Sequence, residues 1–185
     1  CRWVTDKNVC VTFGCAIGYY TTESAALEPE WLDLLGDIPP GRLVAAEKTA
    51  HLGRRARRLD QWLDAGHGSR ALAQSEVRET VRGCLMRFDG ERVRVHAAVT
   101  MPTHVHAVIE PLANHSLSSL LKGIKGASAR QANELLGTKG VFWMDESYDH
   151  IVRGQAQYDH FVRYIVENPL KANLKTSGYW LYNPG

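Results

Sequence analysis

The sequence has too few cysteines, wrongly spaced, to be a disulfide or zinc scaffold. Its four, Cys1, Cys10, Cys15 and Cys84, include no C-x-x-C pair, so reduced thiols are the default, a Cys10–Cys15 bond being the alternative. No run approaches the roughly 18–20 unbroken apolar residues of a membrane span. The opening Cys1-Arg2-Trp3-Val4-Thr5-Asp6-Lys7 leads into no apolar core of the kind a signal peptide carries. Charge of one sign is scarce as well. The 22 Lys and Arg face 20 Asp and Glu, and the net charge of +2 does not announce a nucleic-acid binder. Repeats and low-complexity tracts are missing. What is present is ordinary: 44% hydrophobic, 23% charged and 9% aromatic residues in a chain of 185. That composition excludes a disordered or collagen-like chain. The length suits one domain at roughly 100–200 residues each, large enough to hide roughly 70% of its unfolded surface. The expectation is one soluble, cytoplasmic domain over residues 1–185 with no membrane partner.

Charge and punctuation divide the chain. Between Arg42 and Arg58, the residues Arg42, Lys48, Arg54, Arg55, Arg57 and Arg58 stand against Glu47 alone. Leu43, Ala46, Leu52, Ala56, Leu59 and Leu63 recur at helical spacing beside them, which predicts an amphipathic helix with a basic face. That face is either merely solvated or binds phosphates. Breakers at Glu28-Pro29, Ile38-Pro39-Pro40-Gly41 and Ala65-Gly66-His67-Gly68-Ser69 predict a strand over 9–17 and a helix from Pro29 before the basic one. Ser75 fits an N-cap for a helix over 76–88. The turn Asp89-Gly90 precedes a β-branched, alternating strand over 93–99. Met101-Pro102-Thr103 breaks it, and alternation resumes over 104–109. A helix over 117–136, a strand-like Val141-Phe142-Trp143 and a helix over 155–167 stopped by Pro169 complete an α+β pattern.

The densest chemical signal is Pro102-Thr103-His104-Val105-His106. Residues two apart on a strand share a face, so His104 and His106 present two imidazoles together while Val105 packs the other way. Such a pair suits a divalent metal, or it is two unrelated polar residues on a wet sheet face. On the last helix Tyr164 and Asn168 are four apart and share a stripe. Spacing alone leaves open that Tyr164 is a core-rim residue and that Asn168 caps a helix end.

The combination resembles a known family. MPTHVHAVIEP (101–111), FWMDESYDHIVR (142–153) and YDHFVRYIVENPLKANL (158–174) are similar to the REP-associated tyrosine transposases, within the single-tyrosine HUH transposases of insertion sequences. RLDQWLDAGHGSRAL (58–72) and MRFDGERVRVHAAV (86–99) extend the likeness. It covers about residues 54–174, and the first 53 or so match poorly. The resemblance implies a ferredoxin-like antiparallel sheet flanked by helices, with the HUH histidine pair on a central strand. It implies Tyr164 as nucleophile, and His104, His106 and Asn168 as ligands of Mg²⁺ or Mn²⁺. The expected activity is metal-dependent nicking and strand transfer on single-stranded DNA through a 5′-phosphotyrosine. The implied partner is a hairpin-bearing repeat element. A monomer is favoured over a homodimer.

Cations and aromatic faces suited to DNA are Lys122, Lys125, Arg130 and Arg153, with Trp143 and Tyr148 as stacking partners. No residue announces itself as the base for the phenol, although His160, four before Tyr164, shares its helical face. Where the family usually has MPNHVH this chain has Thr103, a non-ligand position at which threonine can still hydrogen-bond backbone. Two rivals are a nuclease-inactive hairpin binder of the same fold and a metal-dependent hydrolase using activated water.

Overall fold

The computed structural model describes residues 9–15, 58 and 61–185, with side chains for 58, 61–144 and 149–185. The helix expected from Pro29 and nearly all of the basic helix lie outside the described residues. The elements are β1 (Val9–Cys15), α1 (Ser75–Met86), β2 (Val93–Thr100), β3 (His104–Pro111), α2 (Leu117–Leu136), β4 (Trp143–Ile151), α3 (Gln155–Lys171) and β5 (Trp180–Tyr182). Single 3-10 turns occupy Ala71–Ala73 and Thr176–Gly178.

Local chemistry explains most of the boundaries. In α1 the buried Val77, Val81, Cys84 and Leu85 recur every three or four residues, the stripe of a helix against a core. Its N-cap is Gln74 rather than Ser75, because the Ser75 hydroxyl donates to Glu76 at 3.0 Å instead of accepting a backbone N–H. α2 opens with Ser116 accepting the Ser119 N–H at 3.2 Å and closes on Gly137 at φ 63°, the left-handed stop that glycine tolerates. Between α1 and β2, Asp89 accepts the Val95 N–H at 2.8 Å and fixes the turn.

All five strands pair antiparallel in the order β4-β1-β3-β2-β5. The first four follow the ferredoxin-like order, and β3 is central. Alternation along β3 then sorts the layers. Val105, Ala107 and Ile109 join the core under α1 and α2 with Leu85, Leu120 and Ile124. Val108 points the other way and packs with Ala97, Val99 and Ile165 beneath α3. His104 and His106 share the α3 side with Val108 by the two-residue period. One bulge lies in β2: Val95 pairs with Ile109 and Ala97 with Val108, leaving His96 as the extra residue.

Two further expectations are corrected. The strand foreseen only over 141–143 runs from Trp143 to Ile151. Asp, Glu and Ser weaken the strand signal of that stretch, but pairing with β1 from Val9↔Ile151 to Thr12↔Tyr148 imposes it. Pro169 does not end α3, which continues to Lys171. The proline removes one donor, while the Ala172 N–H still reaches the Asn168 carbonyl at 3.0 Å and the Leu174 N–H the Pro169 carbonyl at 2.9 Å. No helix among the described residues is long and apolar enough to cross a membrane.

Ile165 is fully buried where α3 meets the sheet. Ile165→Ala should cost about 2–5 kcal/mol through lost transfer energy and a cavity, read as a lower denaturation midpoint. An unchanged midpoint would mean that α3 does not depend on this contact.

Candidate metal centre and active site

The site begins with β3. His104 and His106 are fully buried, their ring centroids 4.5 Å apart and their planes at 80°. Burying two imidazoles without partners is costly, and what faces them is a carboxylate. Asp64 Oδ1 lies 3.1 Å from His104 Nε2 and 3.6 Å from His106 Nε2. Asp64 ends the short helical stretch 61–64. The next turn is closed by the Gly66 N–H on the Leu63 carbonyl at 2.9 Å, with Gly66 at φ 85°, a conformation that favours glycine.

The tyrosine helix supplies the other wall. Tyr164 Oη donates to Asp64 Oδ2 at 2.7 Å and Asn168 Nδ2 donates to Asp64 Oδ1 at 3.2 Å. Four residues of helix separate them, so one face of α3 delivers both. The Tyr164 ring stands 5.1 Å from that of His106, edge to face. Two imidazoles, an amide and a phenol from two elements thus converge on one carboxylate from a third.

Thr103 locks this arrangement. Its hydroxyl donates to the Leu63 carbonyl at 3.1 Å and lies 2.8 Å from His104 Nδ1. With its single proton directed at Leu63, the hydroxyl offers Nδ1 a lone pair. Nδ1 therefore carries the imidazole proton, and Nε2 turns its own lone pair toward Asp64. Two electron pairs facing each other across 3.1 Å repel unless positive charge lies between them. His104 Nε2 correspondingly makes no aligned hydrogen bond.

The charge states agree with that geometry. Burial, reinforced by the neighbouring His106, pushes His104 down to about 4 against the opposing pull of Asp64. Burial alone would raise the Asp64 carboxyl, but positive charge or a proton on the imidazole side outweighs burial and holds it well below the usual carboxylate range. At neutral pH the site offers an ionised carboxylate and a neutral imidazole, the forms that bind metal. The candidate ligand atoms of Asp64, His104 and His106 all lie within 4.8 Å of one another. Two nitrogens and a carboxylate oxygen suit a divalent cation of intermediate hardness such as Mn²⁺, so the donor set fits the implied ion.

Asp64 was not among the residues singled out from the sequence. The only local signal was an acidic residue just before the glycine-rich break at 65–69, and nothing in the order of residues joins it to histidines forty positions later. The DNA candidates fare differently from one another. Trp143 is corrected: it is only 4% exposed, its indole N–H donates to Ser128 Oγ at 2.9 Å, and it belongs to the core rather than to a stacking surface. Lys125 donates to the Met144 carbonyl at 2.9 Å. Lys122 and Arg130 are exposed on α2, across the sheet from Tyr164, and Arg153 is exposed just before α3. The Tyr148 side chain lies outside the described residues. His160 is exposed and touches none of the groups around Asp64.

Two outcomes follow. Thr103→Val removes the partner of His104 Nδ1 and should weaken Mn²⁺ binding about 10–100-fold, while Thr103→Ser restores it; equal affinities in a metal titration would dismiss the lock. For the metal-free chain, an exposed imidazole titrates near 6.5 whereas His104 holds off protonation to about 4. Between those values the unfolded state binds more protons, so stability falls as the pH drops. Thermal unfolding should show that slope, and His104→Asn should flatten it; identical pH profiles would contradict the assignment.

Residues 69–168 match the family model described as transposase, IS200-like. A solved REP-associated tyrosine transposase bound to a REP hairpin aligns with a TM-score of 0.51 at 17% identity, over 92% of this chain and 71% of that one. A protein of Deinococcus radiodurans R1 described as a transposase aligns at 0.45 and 12%, over 91% and 95%. No curated protein matches the sequence. The first alignment supports the fold, and the family match, spanning more than half of the chain, includes His104, His106, Tyr164 and Asn168. The chain belongs to the IS200-like transposase family.

Proposed function

We propose that this transposase nicks and rejoins single-stranded DNA beside a hairpin, with Tyr164 as the nucleophile. Asp64, His104 and His106 hold one divalent cation, Mg²⁺ or Mn²⁺, and Asn168 completes the shell once its amide turns its oxygen inward. The observation that carries the reading is the convergence of Tyr164, Asn168, His104 and His106 on the single carboxylate of Asp64.

When bound, the cation supplies Lewis-acid polarisation of a phosphate oxygen. The residues of the chain do the rest. Asp64 orients the phenol of Tyr164 by accepting its hydrogen bond. The phenolic oxygen attacks phosphorus, a P–O bond to Tyr164 forms, and the P–O3′ bond breaks. The phenol proton is lost on the way, and the departing 3′ oxygen takes up a proton to become a hydroxyl. Reversal by another 3′-hydroxyl rejoins strands and frees Tyr164. Asp64 itself is a poor base, being held so strongly ionised, and acts as ligand and orienter. Lys171 Nζ stands 5.8 Å from the Tyr164 ring centroid and is paired with Glu167 at 2.9 Å.

Within one chain α3 already brings Tyr164 to Asp64 and His106, so a monomer needs no helix from a second copy. Support for a hairpin partner comes from the solved relative, which carries a REP hairpin.

With Mn²⁺ and a labelled hairpin-bearing single strand, the protein should give a covalent adduct on a denaturing gel. Tyr164→Phe should abolish the adduct and keep binding, and His106→Ala should remove both cleavage and adduct. An undiminished adduct in Tyr164→Phe, or cleavage with no adduct, would overturn the proposal.

A further inference from the structure

Toward the start of α3, away from Asn168, one imidazole touches both of the elements that furnish the site around Asp64. His96 Nε2 lies 3.3 Å from Glu110 Oε2 on β3, and His96 Nδ1 lies 3.4 Å from Tyr158 Oη on α3. The His96 and Tyr158 rings meet edge to face, their centroids 5.5 Å apart. Glu110 is four residues beyond His106 on the same strand and so shares its face. Tyr158 is six residues before Tyr164 on the same helix, about 9 Å along its axis. Arg94 Nη1 donates to the same Glu110 oxygen at 3.2 Å.

The bulge in β2 is what aims His96 this way. Val95 and Ala98 face the α1–α2 core, while Ala97 and Val99 face α3. The extra residue lets His96 and its neighbour Ala97 turn to the α3 side together. Donors and acceptors then match on both edges of the ring. Burial holds the His96 imidazole below its ordinary range against the pull of Glu110, so at neutral pH it carries a single N–H. The Glu110 carboxylate only accepts, so Nε2 donates to it, and Nδ1 accepts the Tyr158 hydroxyl. The His96 and Glu110 side chains are only 13% and 16% exposed, which keeps water from replacing either bond.

We propose that His96 is a positioning residue for nucleophilic attack: by bonding Tyr158 and Glu110 at once, it fixes the helix that carries Tyr164 against the strand that carries His104 and His106. The contacts that seat α3 on the sheet, from Tyr158, Phe161, Val162 and Ile165, are apolar and non-directional, and tolerate small slides and rotations. Hydrogen bonds to fixed partners do not. Asp64 holds the phenol of Tyr164, but Tyr164 gives up that bond when its oxygen turns to phosphorus. The two His96 bonds take no part in that step, so the helix keeps its place while the phenol moves. The inference rests on the reading of Tyr164 as nucleophile, although the bridge itself involves neither metal nor DNA.

The test is the single-turnover rate of adduct formation with saturating Mn²⁺ and hairpin-bearing strand, below the unfolding midpoint of every variant. Tyr158→Phe removes one oxygen, and His96→Leu removes both bonds. Each should slow the step about tenfold, within the roughly 100-fold that a misplacement of about an ångström can cost. The half-saturating concentrations of DNA and Mn²⁺ should not change. His96→Gln, whose amide keeps one acceptor and a donor, should restore most of the rate. Saturated rates equal to the parent's in all three, with only the midpoints lowered, would overturn the proposal, as would His96→Gln no faster than His96→Leu. A second readout needs no catalysis. With 3-fluorotyrosine at position 164 of the metal-free protein, the fluorine resonance should shift or broaden in Tyr158→Phe and His96→Leu and return in His96→Gln. If the parent gives no adduct while that resonance responds, the nicking reading falls alone and the positioning stands. A resonance unmoved by every variant would then refute the positioning too.

Discussion

The structure around the site depends on the need of one partly buried carboxylate for partners. Asp64 comes from a short helical turn, the imidazoles from the central strand and the phenol and amide from α3. Each of these elements has its own apolar reason to be where it is: Leu63 packs with Met144, Val105 lies in one core, and Ile165 in the other. None of those contacts fixes the side chains to within tenths of an ångström. The charge does, because an ionised group withdrawn from water is tolerable only when hydrogen bonds and opposite charge replace the water. Such a cluster is a weak source of stability and a strong source of geometry, which is the currency of an active site.

The strand itself separates the two tasks. Its two-residue repeat sends Val105, Ala107 and Ile109 into the α1–α2 core and His104, His106 and Val108 toward α3. Placing the histidines at the centre of the sheet denies them water from either edge, which keeps His104 neutral and ready to bind metal. The loop between β2 and β3 then does two things with one residue. Thr103 bonds the backbone before Asp64 and the ring of His104, so the turn that joins the strands also sets the distance between carboxylate and imidazole. The usual asparagine of the family is replaced here by a hydroxyl whose role reaches beyond its own turn.

Much of this was legible in the sequence because it is local. Period two put both imidazoles on one face, period four put Tyr164 beside Asn168, and the apolar stripe of α2 gave that helix its bounds of 117–136. What escaped was long-range. Asp64 sits next to a glycine break and owes its importance to a strand forty residues away. The length of β4 comes from pairing with β1, against the preference of its acidic residues. α3 outlasts Pro169 because Asn168 and Pro169 are buried against the fold, and tertiary contacts there outweigh the local rule. Trp143 looked like a stacking platform from composition, yet its indole hydrogen belongs to Ser128. Side-chain chemistry is visible in a sequence, but the direction in which a side chain points is visible only where a short period dictates it.

The central claim is that Asp64, His104 and His106 share one cation. Pulsed electron paramagnetic resonance of the Mn²⁺-loaded protein addresses it without catalysis, since imidazole nitrogens bound to manganese leave a distinct coupling. Two inequivalent nitrogens should appear and change when histidine carries ¹⁵N, and His104→Gln should leave one. A spectrum with couplings to water protons alone would contradict the account.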